Sequence, residues 1–449
     1  MAKIQPIKKA LRVGMVSLGC PKTLVDSEIL LGKIPGGQFS IAQSIEESDV
    51  VLLNTCSFIE AAQKESMDYI RSLLKMKKAR KIKSVVVLGC MVQKFPKELQ
   101  EEFKDVDAFV GTGEYDKLAT ILQSVSDGEK TFTMSEPGYL ATSGEHRIAL
   151  TPMHFRYLKI SEGCDHICSF CTIPSFRGKH RSRTIQDVVA EATRLVSEGA
   201  KEIILTGQDT SFFGRDLSGK FQLADLLQEL DQVKNLEWLR LLYVYPSCVD
   251  RQLIEAMQKT KKLCHYLDMP LQHASDNMLT AMRRGITKRR TRDLIKQFRE
   301  TVDNLVIRTT FIVGFPGETE RDFEELLEFM SESSFERVGI FKYSNEASSH
   351  SATLPNHVSE KIKEDRFHRA MELQQGISLV NQEKWIGKKL CVLIESVEGA
   401  KNLYRGRSYM DAPEVDGSVI VKSAKKLTVG DFCDAIVTSA EPYDLHAQA

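Results

Sequence analysis

Gly163-Cys164-Asp165-His166-Ile167-Cys168-Ser169-Phe170-Cys171 is the stretch on which the organisation of this 449-residue chain turns. Three thiols spaced C-x3-C-x2-C can reach one inorganic centre, because each short loop between them spans only a few ångströms. They supply three ligands and not four. A structural zinc site closes its tetrahedron, whereas a 4Fe-4S cluster on three thiolates keeps one iron open to a molecule that reacts. The competing reading is a zinc knuckle completed by His154, His166 or His180, since Cys/His sets of this size are common zinc ligands.

Outward from the loop, the β-rich run Tyr157 to Ile160 precedes it and opens a series. Further runs fall at Glu202–Thr206, Trp238–Val244, His265–Met269, Ile307–Val313 and Val338–Tyr343, with helix-like stretches such as Ile185–Ser197 and Glu320–Glu332 between. About six β-α units in roughly 230 residues predict a partial or full (β/α) barrel, in which chemistry sits at the carboxyl ends of the strands. The cysteine loop follows the first strand, as that rule requires. Other strand ends carry Gly207, Gln208, Gln272, Gly314 and Glu318, where glycine lets backbone approach a ligand and the polar side chains offer hydrogen bonds.

Before the barrel, alternating β-rich and helix-like segments predict a parallel α/β domain over 10–128, with strands at Arg12–Leu18, Val50–Asn54, Ser84–Leu88 and Ala108–Val110. A cysteine follows each of the first three: Cys20, Cys56 and Cys90. Ligands bind along the carboxyl edge of such a sheet, so three thiols far apart in sequence converge there and make a second candidate metal site. Singly, each also fits a buried structural cysteine. Residues 129–149 lose periodicity around Pro137, Gly138, Ser143 and Gly144 and read as a linker to a barrel over 150–381, closed by a helix around Lys361–Gln382. From 384 to 449, short strands at Leu390–Glu395, Leu403–Ser408, Ser418–Lys422 and Phe432–Ser439 predict a small antiparallel β-module, sized like a five-stranded barrel.

Sixty-one Lys plus Arg against 61 Asp plus Glu leave no global field to draw the molecule to nucleic acid or an anionic membrane. Met1 to Arg12 holds no apolar core of signal-peptide length, and no run approaches the roughly 18 apolar residues of a membrane span. A cytoplasmic protein is expected, in which ten cysteines are reduced and serve metal chemistry in preference to disulfides. Cys248, Cys264, Cys391 and Cys433 are left as core residues.

Together these stretches resemble the methylthiotransferase family of radical-SAM enzymes across essentially the whole chain. The most specific match runs from Gly163 through Cys-Asp-His-Ile-Cys-Ser-Phe-Cys-Thr-Ile-Pro-Ser-Phe-Arg-Gly-Lys-His-Arg-Ser to Arg183. The resemblance implies two 4Fe-4S clusters. Cys164, Cys168 and Cys171 would hold the one that binds S-adenosylmethionine (SAM) and yields the 5′-deoxyadenosyl radical; Cys20, Cys56 and Cys90 would hold an auxiliary one. Gly207, Gln208, Gln272, Gly314 and Glu318 become candidate contacts to adenine, ribose or the methionyl moiety. It also implies a C-terminal TRAM module.

One branch of the family modifies a tRNA adenosine and another an aspartate of ribosomal protein S-twelve. The stretches Ser17 to Glu28, Asn54 to Ser66 and Gln208 to Ser211 resemble the second branch, apart from Thr23, where asparagine is usual and where no ligand contact is expected. The expected partners are therefore ribosomal protein S-twelve or the small ribosomal subunit, and a reducing protein such as flavodoxin or ferredoxin. Residues 384–449 carry nine Lys/Arg and nine Asp/Glu, too neutral for an RNA clamp, so direct nucleic-acid binding is not expected. Glu395, Glu398, Asp411, Glu414 and Asp416 offer a possible acidic face for a basic protein, or are ordinary solvated charges; the run Arg283 to Arg292 is a possible phosphate contact or an exposed helix face. The tRNA reading and a non-catalytic, zinc-bearing ribosome- or RNA-binding protein stand as alternatives.

Overall fold

The computed structural model describes residues 10–399 and 402–449, so most of the Met1 to Arg12 stretch lies outside the described residues. The chain divides into two compact units.

The first runs to Leu150 and adds Glu162–His166 and Thr172–Arg181. Its centre is a six-stranded sheet of β1 (Leu11–Ser17), β2 (Phe39–Ile41), β3 (Val50–Thr55), β4 (Ser84–Gly89), β5 (Ala108–Val110) and β6 (Thr131–Thr133), in the order β2-β1-β3-β4-β5-β6. Every neighbouring pair is parallel. The central strands β3 and β4 are buried along their whole length and carry the continuous apolar runs Val50 to Leu53 and Val85 to Leu88, as strands covered on both faces do. The helix Glu60–Lys78 buries Ser66, Ile70 and Leu73 at helical spacing and packs Met67, Leu74 and Met76, half-buried, against the same core.

Residues 129–149 are not a free connector. Thr131–Thr133 pairs with β5, and the chain beyond is fastened through Glu28, which is buried, paired with Arg147 and accepts a hydrogen bond from the Leu150 N–H at 2.8 Å. The edge strand is held by backbone hydrogen bonds and needs no apolar alternation, so periodicity does not reveal it.

The second unit comprises Thr151–Ser161, Ile167–Cys171 and Ser182–Ala449. It starts with β7 (Phe155–Lys159); the two-residue strands β8 (Ser161–Glu162) and β9 (Arg181–Ser182) flank the cysteine loop in sequence. Then come β10 (Glu202–Thr206), β11 (Trp238–Leu241), β12 (Leu263–Asp268), β13 (Val306–Val313) and β14 (Arg337–Lys342), giving a parallel sheet in the order β14-β13-β12-β11-β10-β7. The end strands β7 and β14 do not pair, so the barrel is partial. Four of its helices start where the sequence supplies a cap: Thr184, Asp250, Thr287 and Thr319 accept hydrogen bonds from the backbone three residues on, and Asp322 reciprocates to complete a capping box.

After the helix Glu360–Glu383, β15 (Lys389–Val397), β16 (Leu403–Arg407), β17 (Val419–Lys422), β18 (Phe432–Ala440) and β19 (Leu445–Gln448) form a closed barrel in the order β15-β16-β17-β19-β18. An odd number of strands cannot alternate direction around a closed ring. At least one pair must be parallel, and it is β17 with β19, while the other four pairs are antiparallel as expected.

Three of the acidic residues that suggest a face for a basic partner are engaged inside the unit instead. The segment between β16 and β17 packs against the charged side chains of the parallel sheet. There Arg337 pairs with Asp411 at 2.7 Å, and Arg308 with Asp268 at 3.0 Å and Asp416 at 3.3 Å. Glu202 is held at 2.7 Å by both Arg240 and Arg407, and Arg407 also binds Glu395 at 2.7 Å. Burial alone would neutralise these carboxylates, yet the two guanidinium groups keep Glu202 below the ordinary glutamate range. Glu398 pairs with Arg405, and Glu414 is exposed.

Removing one member of a buried set strands the others without a counter-charge, at a cost of about 3–5 kcal/mol. Glu202→Gln should therefore lower stability by that amount in urea unfolding, whereas Asp434→Asn, at the solvated Lys389 pair, should leave it unchanged. Equal midpoints for Glu202→Gln and the parent would show that the network does not hold the module in place.

Candidate active site

In the first unit, Cys20 precedes the helix Pro21–Gly32, Cys56 follows β3 directly, and Cys90 follows β4 and opens the helix Cys90–Lys94. Parallel pairing therefore brings the three to one sheet edge. Their approach depends on Gly19, whose φ is +99°, because a Cβ there would stand 2.8 Å from the Cys56 Cβ. Asn54 fastens the same edge, donating to the Thr23 carbonyl at 3.1 Å and the Ser27 hydroxyl at 2.9 Å. Ser66 brackets Cys56, accepting from its N–H at 3.2 Å and donating to its carbonyl at 2.9 Å. Thr23, expected to touch no ligand, has its hydroxyl 3.6 Å from Cys20 Sγ.

The three thiols differ electrically. Burial pushes Cys20 up, but the Lys22 ammonium and hydrogen bonds from Thr23 outweigh it and hold Cys20 below the ordinary thiol value. Burial and then the neighbouring Cys20 push Cys56 up. Burial drives Cys90 to about 12 against the opposing charge of Arg177. An all-sulfur set of three, with a cationic donor beside it, fits an iron–sulfur cluster with an open iron.

Sequence reading misses Arg177, which stands inside the stretch that its cysteines dominate. Its Nε and Nη2 donate to Cys90 Sγ at 3.1 and 2.9 Å, and Nη1 donates to Asp26 at 2.7 Å and Glu162 at 3.3 Å. In the same unit, the Cys164 N–H bonds to the Gly178 carbonyl at 3.1 Å and the His180 N–H to Asp165 at 2.9 Å, which shapes the start of the cysteine loop.

Cys168 and Cys171 belong to the second unit, where the Cys171 N–H bonds to the Cys168 carbonyl at 3.1 Å. Both pack in a cluster with Tyr245, Cys248, Phe170, Phe212 and Phe221. Arg284 donates from Nη1 to Cys168 Sγ at 3.3 Å while its guanidinium lies 4.1 Å from the centre of the Tyr245 ring. The Tyr245 hydroxyl is 3.6 Å from the same sulfur and donates to the Arg284 carbonyl at 2.9 Å. Arg284 is buried within the basic run expected to face phosphate or solvent, and nothing in its sequence context marks it as different from Arg283. Tyr245 likewise carries no sequence signal.

The remaining candidates sit at strand ends of the second unit. Gly207 follows β10, and a Cβ there would lie 2.7 Å from the Ser161 hydroxyl. Gln208 follows, half-buried. Gln272 holds a left-handed backbone, φ 76°, fixed where its N–H donates to the Thr310 carbonyl and its carbonyl accepts from the Ile312 N–H, both at 2.8 Å. Gly314 follows β13, and its N–H bonds to Glu318 at 2.8 Å. Glu318 is buried; its other oxygen accepts from Arg366 at 2.8 Å, and His273 lies 3.6 Å away. Of the four cysteines left as core, Cys248 and Cys264 are buried, Cys433 is half-buried, and Cys391 is exposed, because it sits at an outward position in the alternation of β15.

Comparisons with known proteins place similarity along most of the chain. Residues 158–330 match the radical SAM superfamily, residues 12–111 match a family described as uncharacterized protein family UPF0004, and residues 386–449 match the TRAM domain. A curated relative from Desulforamulus reducens, named ribosomal protein uS12 methylthiotransferase RimO, is 43% identical over 96% of this chain and 98% of its own length. A relative of the same name from Clostridioides difficile is 40% identical over 97% and 98%. Among solved structures, the radical S-adenosylmethionine methyltransferase TsrM from Kitasatospora setae aligns with a TM-score of 0.56 at 15% identity, covering 74% of this chain and 73% of that one, which is a likeness of fold.

The unequal thiols predict unequal reactivity. In iron-free protein at mildly alkaline pH, iodoacetamide should modify Cys20 at least about tenfold faster than Cys90, since the thiolate is the nucleophile and its fraction follows the pKa. Peptide mass spectrometry over a time course reads the two rates. Equal rates would mean that Lys22 and Thr23 do not favour the Cys20 thiolate.

Proposed function

The chain belongs to the RimO family of methylthiotransferases, and from that membership we propose that it converts an aspartate of small-subunit ribosomal protein uS12 to 3-methylthioaspartate, exchanging a C–H bond on the β-carbon for C–S–CH3. The observation that carries the reading is the gathering of Cys20, Cys56 and Cys90 from three strand ends, in a chain that also bears the C-x3-C-x2-C loop. Cys164, Cys168 and Cys171 would hold a 4Fe-4S cluster together with SAM, and Cys20, Cys56 and Cys90 a second cluster. When bound, these groups supply the hydrogen-abstracting radical, the sulfur and the methyl group.

The chain's own residues place and shield. Arg284 and Tyr245 fix Cys168 through contacts to its sulfur. Gly207, Gln208, Gln272 and Gly314 line strand ends where SAM is proposed to lie, with Gln272 held in its strained conformation by two backbone bonds. The Glu318 carboxylate, occupied by Gly314, Phe315 and Arg366, acts by fixing the turn around Gly314. Orientation of this kind is where a protein contributes to cofactor chemistry.

The charges bear on the substrate. The basic run is largely engaged: Arg283 binds His350, Arg284 points inward, Lys288 pairs with Glu325 and Arg292 with Glu332. With the terminal module neutral, this favours a protein substrate over tRNA. No helix among the described residues is long and apolar enough to cross a membrane. We place the enzyme in the cytoplasm with the ribosome, reduced by a flavodoxin or ferredoxin.

Incubation of the reconstituted enzyme with SAM and reductant, in parallel with uS12 and with bulk tRNA, should add a methylthio group to an aspartate of uS12 and none to tRNA by mass spectrometry. With Cys20, Cys56 and Cys90 changed to Ala, 5′-deoxyadenosine should still form but no methylthio product should. Methylthioadenosine in the tRNA digest beside untouched uS12 would overturn the substrate; full product from the triple variant would reduce the three dispersed cysteines to packing.

A further inference from the structure

We propose that Arg177 is a positioning residue that sets the electron affinity of the cluster on Cys20, Cys56 and Cys90, and that Asp26 and Glu162 tune it through Arg177. The inference rests on the reading of those cysteines as cluster ligands. Its basis is one buried ionic arrangement. The Arg177 side chain is 5% exposed, Asp26 0% and Glu162 4%. Burying an arginine with two acids beside a thiol is costly for packing alone, since apolar residues of similar volume are often neutral or stabilising in such places.

The geometry gives the guanidinium two edges. Nε and Nη2 present N–H groups to Cys90 Sγ at 3.1 and 2.9 Å, while Nη1 is held by Asp26 at 2.7 Å and Glu162 at 3.3 Å. A planar fork with fixed donor directions can serve both edges at once, and a lysine cannot. Hydrogen bonds to cluster sulfur and local net charge are two of the factors that set an iron–sulfur potential. Donors to Cys90 favour the electron-rich reduced state, and the carboxylates oppose it by offsetting the cation. Arg177 stands six residues after Cys171, so the segment that follows one cysteine set supplies the cationic donor of the other.

The two directions separate this role from simple bracing. The experiment uses the full chain with Cys164, Cys168 and Cys171 changed to Ala, so that the remaining iron reports the second cluster alone, in a redox titration followed by electron paramagnetic resonance. Arg177→Lys should shift the reduction equilibrium about tenfold toward the oxidised cluster, or ~59 mV for one electron. Asp26→Asn keeps an acceptor for Nη1 but removes its charge, and should shift the equilibrium in the opposite direction. Opposite shifts at full iron content support the proposal. If Arg177→Lys fails to fold, an upward shift in Asp26→Asn still supports it. An unchanged midpoint in Asp26→Asn, or shifts of the same sign in both variants, overturn it. A parent that holds no iron and sulfide overturns the ligand reading itself, and the role of Arg177 with it.

Discussion

Parallel pairing is the constraint on which the chemistry depends. When all strands of a sheet run the same way, whatever follows each of them gathers along one edge. In the first unit this delivers Cys20, Cys56 and Cys90 from positions separated by more than thirty residues each, with Gly19 and Asn54 closing the distances. In the second it sets Gly207, Gln272 and Gly314 past the ends of strands in a single six-stranded sheet. Neither set requires the sequence to bring its members near one another.

Charge is used mainly to hold structure. The acidic loop of the terminal barrel meets arginines of the parallel sheet, and the pairs are buried enough that only close mutual geometry offsets their desolvation. The same pattern appears at the thiols. Arg177 and Arg284 each place a guanidinium N–H on a cysteine sulfur, the first balanced by two carboxylates and the second stacked on Tyr245. Beside a thiolate that held a cluster, such a cation would orient the ligand and also set its electron demand.

Element periodicity makes the strand series and a (β/α) barrel legible in the amino-acid sequence, though not whether the barrel closes, and the cysteines that follow the strands stand out in the same reading. Hidden features share a physical cause: they depend on partners distant in sequence. Thr131–Thr133 is an edge strand defined by its neighbour, Asp411 and Asp416 look like solvated acids until Arg337 and Arg308 are placed beside them, and Arg284 differs from Arg283 only in what surrounds it. The parallel β17–β19 pair follows from counting strands around a closed ring, but only once Leu445–Gln448 is recognised as the fifth. Thr23 is expected to touch no candidate ligand, yet the helix turn that carries it brings its hydroxyl to Cys20.

Two three-thiolate clusters in one chain are the central claim, and metal analysis addresses it directly. Anaerobically reconstituted protein should contain about eight iron and eight acid-labile sulfide per chain, by 4Fe-4S stoichiometry applied twice. About four of each would remove one cluster from the chain, and one equivalent of zinc without sulfide would contradict both.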